Sequence, residues 1–300
     1  MPVTTNSPTS TTTPLVPPGE RAGYDLLVSN GKVDSYGGAG AYGPPRALPH
    51  GAVGAAVTVD GAGYWLLSSN GTVTDFGDAL DYGEPAHVSG KAVAIAATPD
   101  GAGYWVLTSR GSLDNFGDAP FCGSAVHKTG VGRFVAMAVM PNGDGYWLLS
   151  ASGAVFAYGS APNLAPPSNS AASGGSASSA TGAGGATGAG AAAAGVPSAV
   201  AIATTADGGG YWLLDSNGAV HAVGDAHNYG GGAAKRGVGS FVGIAATPDG
   251  KGYWLATSSG RVFQFGDATS DGSLAHQPPK APLHVVAVTA AVVPPPTSGS

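Results

Sequence analysis

Aspartates that recur at one position of a repeated pattern are the first candidates for acid–base chemistry in this sequence. They directly follow a glycine, and they are Asp78, Asp118, Asp225 and Asp267, with Gly38 and Ser160 at the same position of two further copies. A catalytic pair of carboxylates needs unlike environments, so that one group stays protonated while the other is ionised. Copies of one repeat position share like environments. They therefore predict hydrogen bonding in turns or between repeats, with a ligand or ion role as the alternative.

The densest group of possible metal ligands consists of His221 and His227 on either side of Asp225. On an extended strand these three positions share parity and would face one side. The Gly224-Asp225 turn breaks that register, however, and no fourth ligand for a tetrahedral zinc ion is identifiable. We therefore predict no metal site and no cofactor.

Catalytic motifs and a reactive cysteine are the remaining possibilities for chemistry. Cys122, the single cysteine, stands where Tyr42, Tyr82 and Tyr229 stand in other copies, which indicates a small apolar substitute rather than a nucleophile. The sequence contains no Gly-x-Ser-x-Gly elbow, no phosphate-binding loop ending in Lys-Ser/Thr and no His-Glu-x-x-His. We predict no catalytic residue, although propellers can build active sites from scattered loop residues.

A repeat of about 40 residues must position these side chains, and a tyrosine preceded by glycine marks each copy. A tryptophan follows five of the six tyrosines, whereas Asp25 follows the first. Successive tyrosines are 40, 40, 42, 65 and 42 residues apart. Short apolar runs between Gly, Asn and Asp turns indicate strands, so we predict an all-β, six-bladed β-propeller with four strands in each blade. The repeat tyrosines are Tyr24, Tyr64, Tyr104, Tyr146, Tyr211 and Tyr253.

The second strand of each copy reads Tyr-Trp-Leu-Leu, as in residues 64–67, without the polar alternation of a strand exposed on one face. It must be covered on both faces, as a blade is between its neighbours. The preceding strand places small residues around one larger one, such as Ala94 and Ala96 around Ile95, which suits strands that converge on the axis. Asp25 in place of tryptophan predicts a less buried second strand in the first blade.

The first copy lacks an innermost strand of its own, because Pro14, Pro17 and Pro18 lie where that strand should be and proline cannot donate to a strand ladder. Residues 284–290 match the innermost-strand pattern, and no Tyr-Trp strand follows them. We therefore expect the C-terminal strand to complete the N-terminal blade and close the ring.

The composition divides the chain into a propeller and less structured segments. We predict a Ser/Thr/Pro-rich linker over 1–21, the propeller over 22–290 and a Pro-rich tail over 291–300. Residues 166–195 contain no aromatic or charged side chain, so they cannot bury enough surface to offset their ordering entropy and are expected to form a disordered low-complexity insertion. A short helix over 191–194 is the alternative, although four alanines are too few to nucleate one alone.

Charge and hydropathy exclude several classes of partner. The net charge of −6 arises from 12 basic and 18 acidic residues, which leaves no cationic stripe for a phosphate backbone and predicts no nucleic acid. No run approaches the roughly 18 apolar residues that span a bilayer, which predicts no membrane span. The chain shows no signal-peptide pattern, but its N-terminal Ser/Thr/Pro tract is typical of stalks in exported proteins. We therefore expect an extracellular or cell-wall-associated protein. We also expect the sequence to be a fragment of a longer exported chain, or to have its natural start upstream.

The repeat unit, Gly-Tyr-Trp-Leu followed by Gly-x-Val, Phe-Gly-Asp-Ala and Tyr-Gly as in residues 63–83, resembles the propeller repeats of secreted actinobacterial proteins. The resemblance covers about residues 22–165 and 196–290. A looser one links the unit to the regulator of chromosome condensation repeat, which is longer but also ends its third strand in aromatic-Gly-Asp. The first resemblance implies a propeller that is a non-catalytic module of an exported protein, whereas the second implies the propeller architecture alone.

Two functions remain as hypotheses. The first is a non-catalytic recognition or scaffolding module, monomeric and extracellular, that binds protein or cell-wall carbohydrate through one face of the ring. The alternative is a propeller hydrolase or lyase with carboxylates on its loops. Loops on a rigid scaffold usually collect the binding residues, and those of this chain carry His50, His87, His127, Lys128, Arg133, His227, Lys235 and Arg236.

Overall fold

The computed structural model describes residues 21–39, 50–165, 198–274 and 284–293. Within them, eighteen strands form six antiparallel sheets of three strands each. The predicted insertion at 166–195 lies outside the described residues, as do residues 1–20 and 294–300 of the predicted linker and tail. The strands are β1 (Arg21–Val28), β2 (Val33–Gly37), β3 (Ala52–Val57), β4 (Gly63–Ser68), β5 (Val73–Gly77), β6 (Ala92–Ala97), β7 (Gly103–Thr108), β8 (Leu113–Gly117), β9 (Phe134–Val139), β10 (Gly145–Ser150), β11 (Val155–Gly159), β12 (Ala199–Thr204), β13 (Gly210–Asp215), β14 (Val220–Gly224), β15 (Phe241–Ala246), β16 (Gly252–Thr257), β17 (Val262–Gly266) and β18 (Val285–Val293).

The six sheets are the blades of a propeller, which confirms the predicted all-β, six-bladed fold. Blade one is β18-β1-β2, and blades two to six follow in chain order from β3-β4-β5 to β15-β16-β17. The innermost strands contact one another around the axis in the order β3, β6, β9, β12, β15, β18 and back to β3. Backbone hydrogen bonds join successive blades, for example from Ala92 N to Ser69 O at 3.0 Å and from Phe134 N to Ser109 O at 2.9 Å. The described residues include no helix with the length and apolar character that a membrane crossing requires.

The C-terminal strand completes the N-terminal blade, as predicted. β18 pairs antiparallel with β1, placing Tyr24 opposite Ala290 and Asp25 opposite Thr289. At its start, Val285 N donates to Ser258 O of blade six at 3.0 Å, and Ser29 N donates to His284 O at 2.8 Å. The strand therefore ties the last blade to the first and closes the ring.

The second strands are fully buried in blades two to six, which confirms that both of their faces are covered. In blade two, Trp65 Nε1 donates to Leu80 O at 2.8 Å, and its ring lies 5.5 Å from that of Tyr104 in blade three. An offset or edge contact of this kind adds about 0.5–1.5 kcal/mol to the burial of the rings. The same contact joins Trp105 to Tyr146, Trp147 to Tyr211, Trp212 to Tyr253 and Trp254 to Tyr24.

The prediction of four strands in each blade is wrong, because the terminal Tyr-Gly segment does not join the sheet. After β5, the Leu80 carbonyl accepts a hydrogen bond from Trp65, and the Gly83 carbonyl accepts one from the Tyr104 hydroxyl of the next blade. Asp81 Oδ1 also accepts from Gly83 N at 2.8 Å and turns the chain. Side chains thus take the backbone groups that a fourth strand would need, and the segment links two blades instead.

The expectation that Asp25 leaves its strand less buried is also wrong, since only 5% of Asp25 is exposed. The burial of β1 follows from the packing of blade six and blade two against the two faces of its sheet, whichever side chain stands there. Asp25 lies opposite Thr289 on one neighbour and Ser35 on the other. Burial raises the pKa of its carboxyl to about 6, and a hydrogen bond with the Ser35 side chain opposes that rise. Blade one therefore contains a buried carboxyl where the other blades contain an indole.

Candidate functional site

The ring has two chemically different faces, because each blade places different turns at the two ends of its strands. At one end, an Asp-Gly or Asn-Gly turn such as 60–61 follows the innermost strand, and the third strand ends in Gly-Asp. At the other end lies the turn between the second and third strands, together with the start of the innermost strand. We call the first end the acidic face, after Asp60, Asp78 and their equivalents, and the second the cationic face, after Lys91, Arg110 and Arg133.

A threonine hydroxyl joins two aspartates on the acidic face of blade two. Thr58 Oγ1 lies 2.9 Å from Asp60 Oδ1 in the Asp-Gly turn and 3.2 Å from Asp78 Oδ1 at the end of the third strand. The same oxygen accepts a hydrogen bond from Gly63 N at 2.8 Å. Asp78 was recognisable in the sequence as a candidate, but its two partners were not. The signal was a threonine two residues before the Asp-Gly turn.

This arrangement recurs in blades two, three, five and six and is internal to each of them, so the recurring aspartates hydrogen-bond in turns and not between repeats. Blades five and six repeat the distances of blade two. Blade four holds a neutral version in which Asn142 and Ser160 lie 3.4 Å apart. The charged sets are Thr58, Asp60 and Asp78; Thr98, Asp100 and Asp118; Thr205, Asp207 and Asp225; and Thr247, Asp249 and Asp267.

The two carboxyls of a pair differ in proton affinity. The backbone N–H of Gly209 and then the Thr205 hydroxyl lower the pKa of Asp207, whereas burial and then the adjacent Asp207 raise that of Asp225. Acid–base catalysis uses such a difference. Here, however, the pairs recur in four blades and all of their carboxylates are exposed, so they do not define one unique centre.

We expect Thr205→Val to lower the free energy of unfolding by roughly 1–3 kcal/mol, because the Gly210 N–H loses a buried hydrogen-bond acceptor. Thr205 is 7% exposed, and its hydroxyl lies 2.9 Å from that nitrogen. Urea denaturation with the midpoint and slope fitted separately measures the change. Thr129→Val, at an exposed position, is the matched control. Equal losses in the two variants would show that the hydroxyl does not support the turn.

A cavity of about 330 Å³ opens in the channel beside the acidic face. The innermost strands of blades one, two and three line it, with small and branched apolar residues such as Ala55, Val57, Ile95 and Ala290. Thr58 supplies its polar side chain, and no titratable group lies in the lining. The cavity therefore offers apolar contact without acid–base chemistry.

Three cations lie next to one another on the cationic face. Lys91 precedes β6, Arg110 lies in the turn between β7 and β8, and Arg133 precedes β9, and all three are exposed. Backbone hydrogen bonds connect their positions, from Ser109 N to Lys91 O at 2.7 Å and from Phe134 N to Ser109 O at 2.9 Å. None of the three cations belongs to an ion pair among the described residues. They form a first cationic cluster, on blades three and four.

A second cationic cluster lies on blade six and consists of the exposed Lys235, Arg236 and Arg261. Lys235 Nζ lies 5.6 Å from the centroid of the Phe263 ring, and Lys128 Nζ lies 5.5 Å from that of Phe156. Both lysines open a Lys-x-Gly-Val-Gly-x-Phe sequence. Lys128 and Lys235, predicted above as loop residues, thus belong to a local repeat.

Charge is distributed unevenly between the two faces, which the net charge of −6 conceals, although Glu84 lies on the cationic face, where its Oε2 accepts a hydrogen bond from Val73 N at 3.1 Å. Lys251 is the one described cation in an acidic-face turn of blades two to six, where it pairs with Asp249 at 3.1 Å. A face of one sign attracts partners of the opposite sign. The acidic face of these blades carries the exposed carboxylates of Asp60, Asp78, Asp100, Asp118, Asp144, Asp207, Asp225, Asp249 and Asp267.

The structure does not bring together the three possible metal ligands His221, Asp225 and His227. His221 Nε2 lies 3.4 Å from Asp215 Oδ2, whereas Asp225 hydrogen-bonds with Thr205. The His227 ring lies 4.8 Å from that of Tyr229. Over the described ranges, no three His, Cys, Asp or Glu side chains are grouped to hold a metal ion.

Cys122 occupies the structural position expected for it. Its backbone N–H lies 3.1 Å from the Tyr146 hydroxyl, and the N–H of Tyr229 lies 3.1 Å from the Tyr253 hydroxyl in the equivalent place. Burial, and then the nearby Asp144, raises the pKa of the Cys122 thiol. The reactive thiolate is therefore disfavoured here.

Comparison with models of known protein families finds no match to this chain, and comparison with curated proteins likewise finds none.

Proposed function

We propose that this propeller is a non-catalytic recognition or scaffolding module, which acts outside the cell and binds protein or cell-wall carbohydrate through one face of its ring. The distribution of its polar groups carries the proposal. The acidic pairs repeat from blade to blade, and the channel cavity has no titratable lining. A catalytic centre needs a convergent set of groups in distinct roles, whereas a binding face needs only a rigid surface of suitable charge.

Rigidity and composition support the same function. Each Trp-Tyr contact locks one blade to the next, and β18 joins the last blade to the first, so the turns sit on a fixed scaffold. The N-terminal Ser/Thr/Pro tract and the resemblance to repeats of secreted actinobacterial propellers support a place outside the cell.

A hydrolase or lyase is the second candidate, and the opposed pKa shifts of Asp207 and Asp225 are the observation that favours it. If a pair of this kind were catalytic, Asp207→Asn and Asp225→Asn would abolish polymer cleavage while the protein stayed folded.

The full chain is therefore incubated with isolated cell-wall material and, separately, with immobilised extracellular proteins. We expect specific retention on one of these materials without shortening of the wall polymer. Substituting Lys128, Arg133, Lys235 and Arg236 together by alanine should reduce this retention at least fivefold. Cleavage products that disappear in Asp225→Asn would contradict the proposal and favour the enzyme. An absence of retention on either material would also contradict it.

A further inference from the structure

We infer that the cationic face binds an anionic polyhydroxylated polymer, a chain whose units carry hydroxyl groups together with carboxylate or phosphodiester groups. This inference rests on the proposed recognition function and specifies the chemistry of its ligand. Charge complementarity carries it, because the exposed cations of blades three, four and six collect at one end of the ring.

The first cationic cluster is a continuous surface with a fixed backbone. Arg110 lies between Lys91 and Arg133, since the two backbone hydrogen bonds that join these segments both use Ser109. The Arg110 side chain also packs beside Gly90, where an added Cβ would lie 3.3 Å from its Cγ. Asp114, four residues further along the chain, is half-buried and forms no ion pair with a described residue. Three cationic groups therefore remain available to a ligand.

The second cationic cluster lies across the ring from the first, since blade six is nearly opposite the junction of blades three and four. Asn70 in blade two and Asn217 in blade five occupy the equivalent turns between the clusters and are exposed. A small anion would occupy one cluster, whereas a flexible polymer with regularly spaced charges can contact both. Amide side chains between the clusters suit the hydroxyl groups of such a polymer.

Other charged or extended partners need features that this face lacks. Single-stranded nucleic acid is held by base stacking on aromatic rings, and a protein interface has buried apolar anchors at its core. Phe121 is the one exposed Phe, Tyr or Trp side chain in the described part of the chain, and it follows β8 where that strand ends at the acidic face. A face with exposed cations and no aromatic platform favours a polyhydroxylated polymer bound through its charges.

Binding of the full chain to polygalacturonate and to poly(glycerol phosphate) tests the inference and distinguishes carboxylate from phosphodiester recognition. The variant is Lys91→Gln, Arg110→Gln and Arg133→Gln combined. The matched control is Lys251→Gln, Asn142→Asp and Ser160→Asp, which makes the same change in net charge on the acidic face and gives blade four the aspartates of its neighbours. Melting temperatures show that both variants are folded.

We expect wild type to bind at least one polymer with an affinity that falls as salt rises, because bound counterions are released. The cationic-face variant should bind at least tenfold more weakly, with a shallower salt dependence, and the control should stay within twofold of wild type. Equal losses in both variants, or equal binding of neutral dextran, would overturn the inference. Tighter binding of DNA or poly-glutamate than of either polymer would assign the face to nucleic acid or to an acidic protein instead.

Retention on wall material distinguishes a failure of this inference from a failure of the proposed function on which it rests. If wild type and the cationic-face variant are retained equally, the recognition function stands and its assignment to the cationic face is wrong. If wild type is retained neither on wall material nor on extracellular proteins, the proposed function itself is wrong.

Discussion

Deletion of residues 283–300 will lower the free energy of unfolding by roughly 3–6 kcal/mol, the largest change that we expect from any variant described here. β18 supplies the innermost strand of blade one, and its Val285 and Val288 are 2% and 9% exposed. Burial of each such side chain contributes about 1.5–3 kcal/mol, and a whole domain has only about 5–15 kcal/mol of stability. The deletion also exposes β1 as an unpaired edge, which promotes aggregation.

Thermal unfolding followed by circular dichroism measures this loss. A chain that ends at Val293 keeps the whole of β18 and serves as the control, with a melting temperature close to that of the full chain. An unchanged melting temperature after the longer deletion would show that β18 does not close the ring.

The second large effect is a pH dependence centred on Asp25. Its pKa is raised from 3.8 to about 6 by burial, so the folded protein disfavours the charged carboxylate. Well below pH 4 the carboxyl is neutral in both states and costs nothing. The free-energy cost of burying the ionised carboxylate grows as pH rises from the unfolded-state pKa of 3.8 to the folded-state pKa of about 6. It reaches about 3 kcal/mol above pH 6, since one pKa unit corresponds to about 1.4 kcal/mol. Asp25→Asn should therefore be the more stable protein at pH 7, with the advantage shrinking towards pH 4.

Urea denaturation of wild type and Asp25→Asn between pH 4 and pH 7 measures this difference. Asp75→Asn, at an exposed position of β5, controls for the loss of one negative charge. If the stabilities of wild type and Asp25→Asn change in parallel with pH, burial does not raise the pKa of the Asp25 carboxyl.

The architecture was predictable because the same pattern of strands and turns recurs in several copies of the repeat. Tyr-Trp-Leu-Leu without polar alternation implies cover on both faces, and only the neighbouring blades of a closed ring supply that cover in every copy. The origin of β18 was predictable by elimination, since prolines occupy the place of the first innermost strand. Patterns of this kind depend on side-chain type and spacing, which the sequence contains.

The errors arose where tertiary contacts compete for backbone groups. The fourth strand does not form because Trp65 and Tyr104, 39 residues apart in the chain, bind the carbonyls of Leu80 and Gly83. Asp25 is buried because its strand is enclosed on all sides, although a single carboxylate in place of an indole indicates exposure when considered alone.

The difference in charge between the two faces could not be predicted from the sequence, for a different reason. Lys91, Arg110 and Arg133 are separated by about 20 residues and show no cationic run in the sequence, and only the alternating direction of the strands brings them to one end of the ring. The pairing of Asp78 with Asp60 was equally invisible without the turn geometry, although the threonine before each Asp-Gly turn was a usable signal. Net charge averages over both faces and therefore does not show that their charges differ.

Hydrogen–deuterium exchange with and without soluble polygalacturonate and poly(glycerol phosphate) tests most directly whether recognition resides on the cationic face. We predict slower exchange in the segments around residues 90–92, 109–112 and 132–134, with the turns at 60–62 and 100–102 on the acidic face unchanged. Protection confined to those acidic-face turns, or binding that protects neither set of segments, would contradict the account.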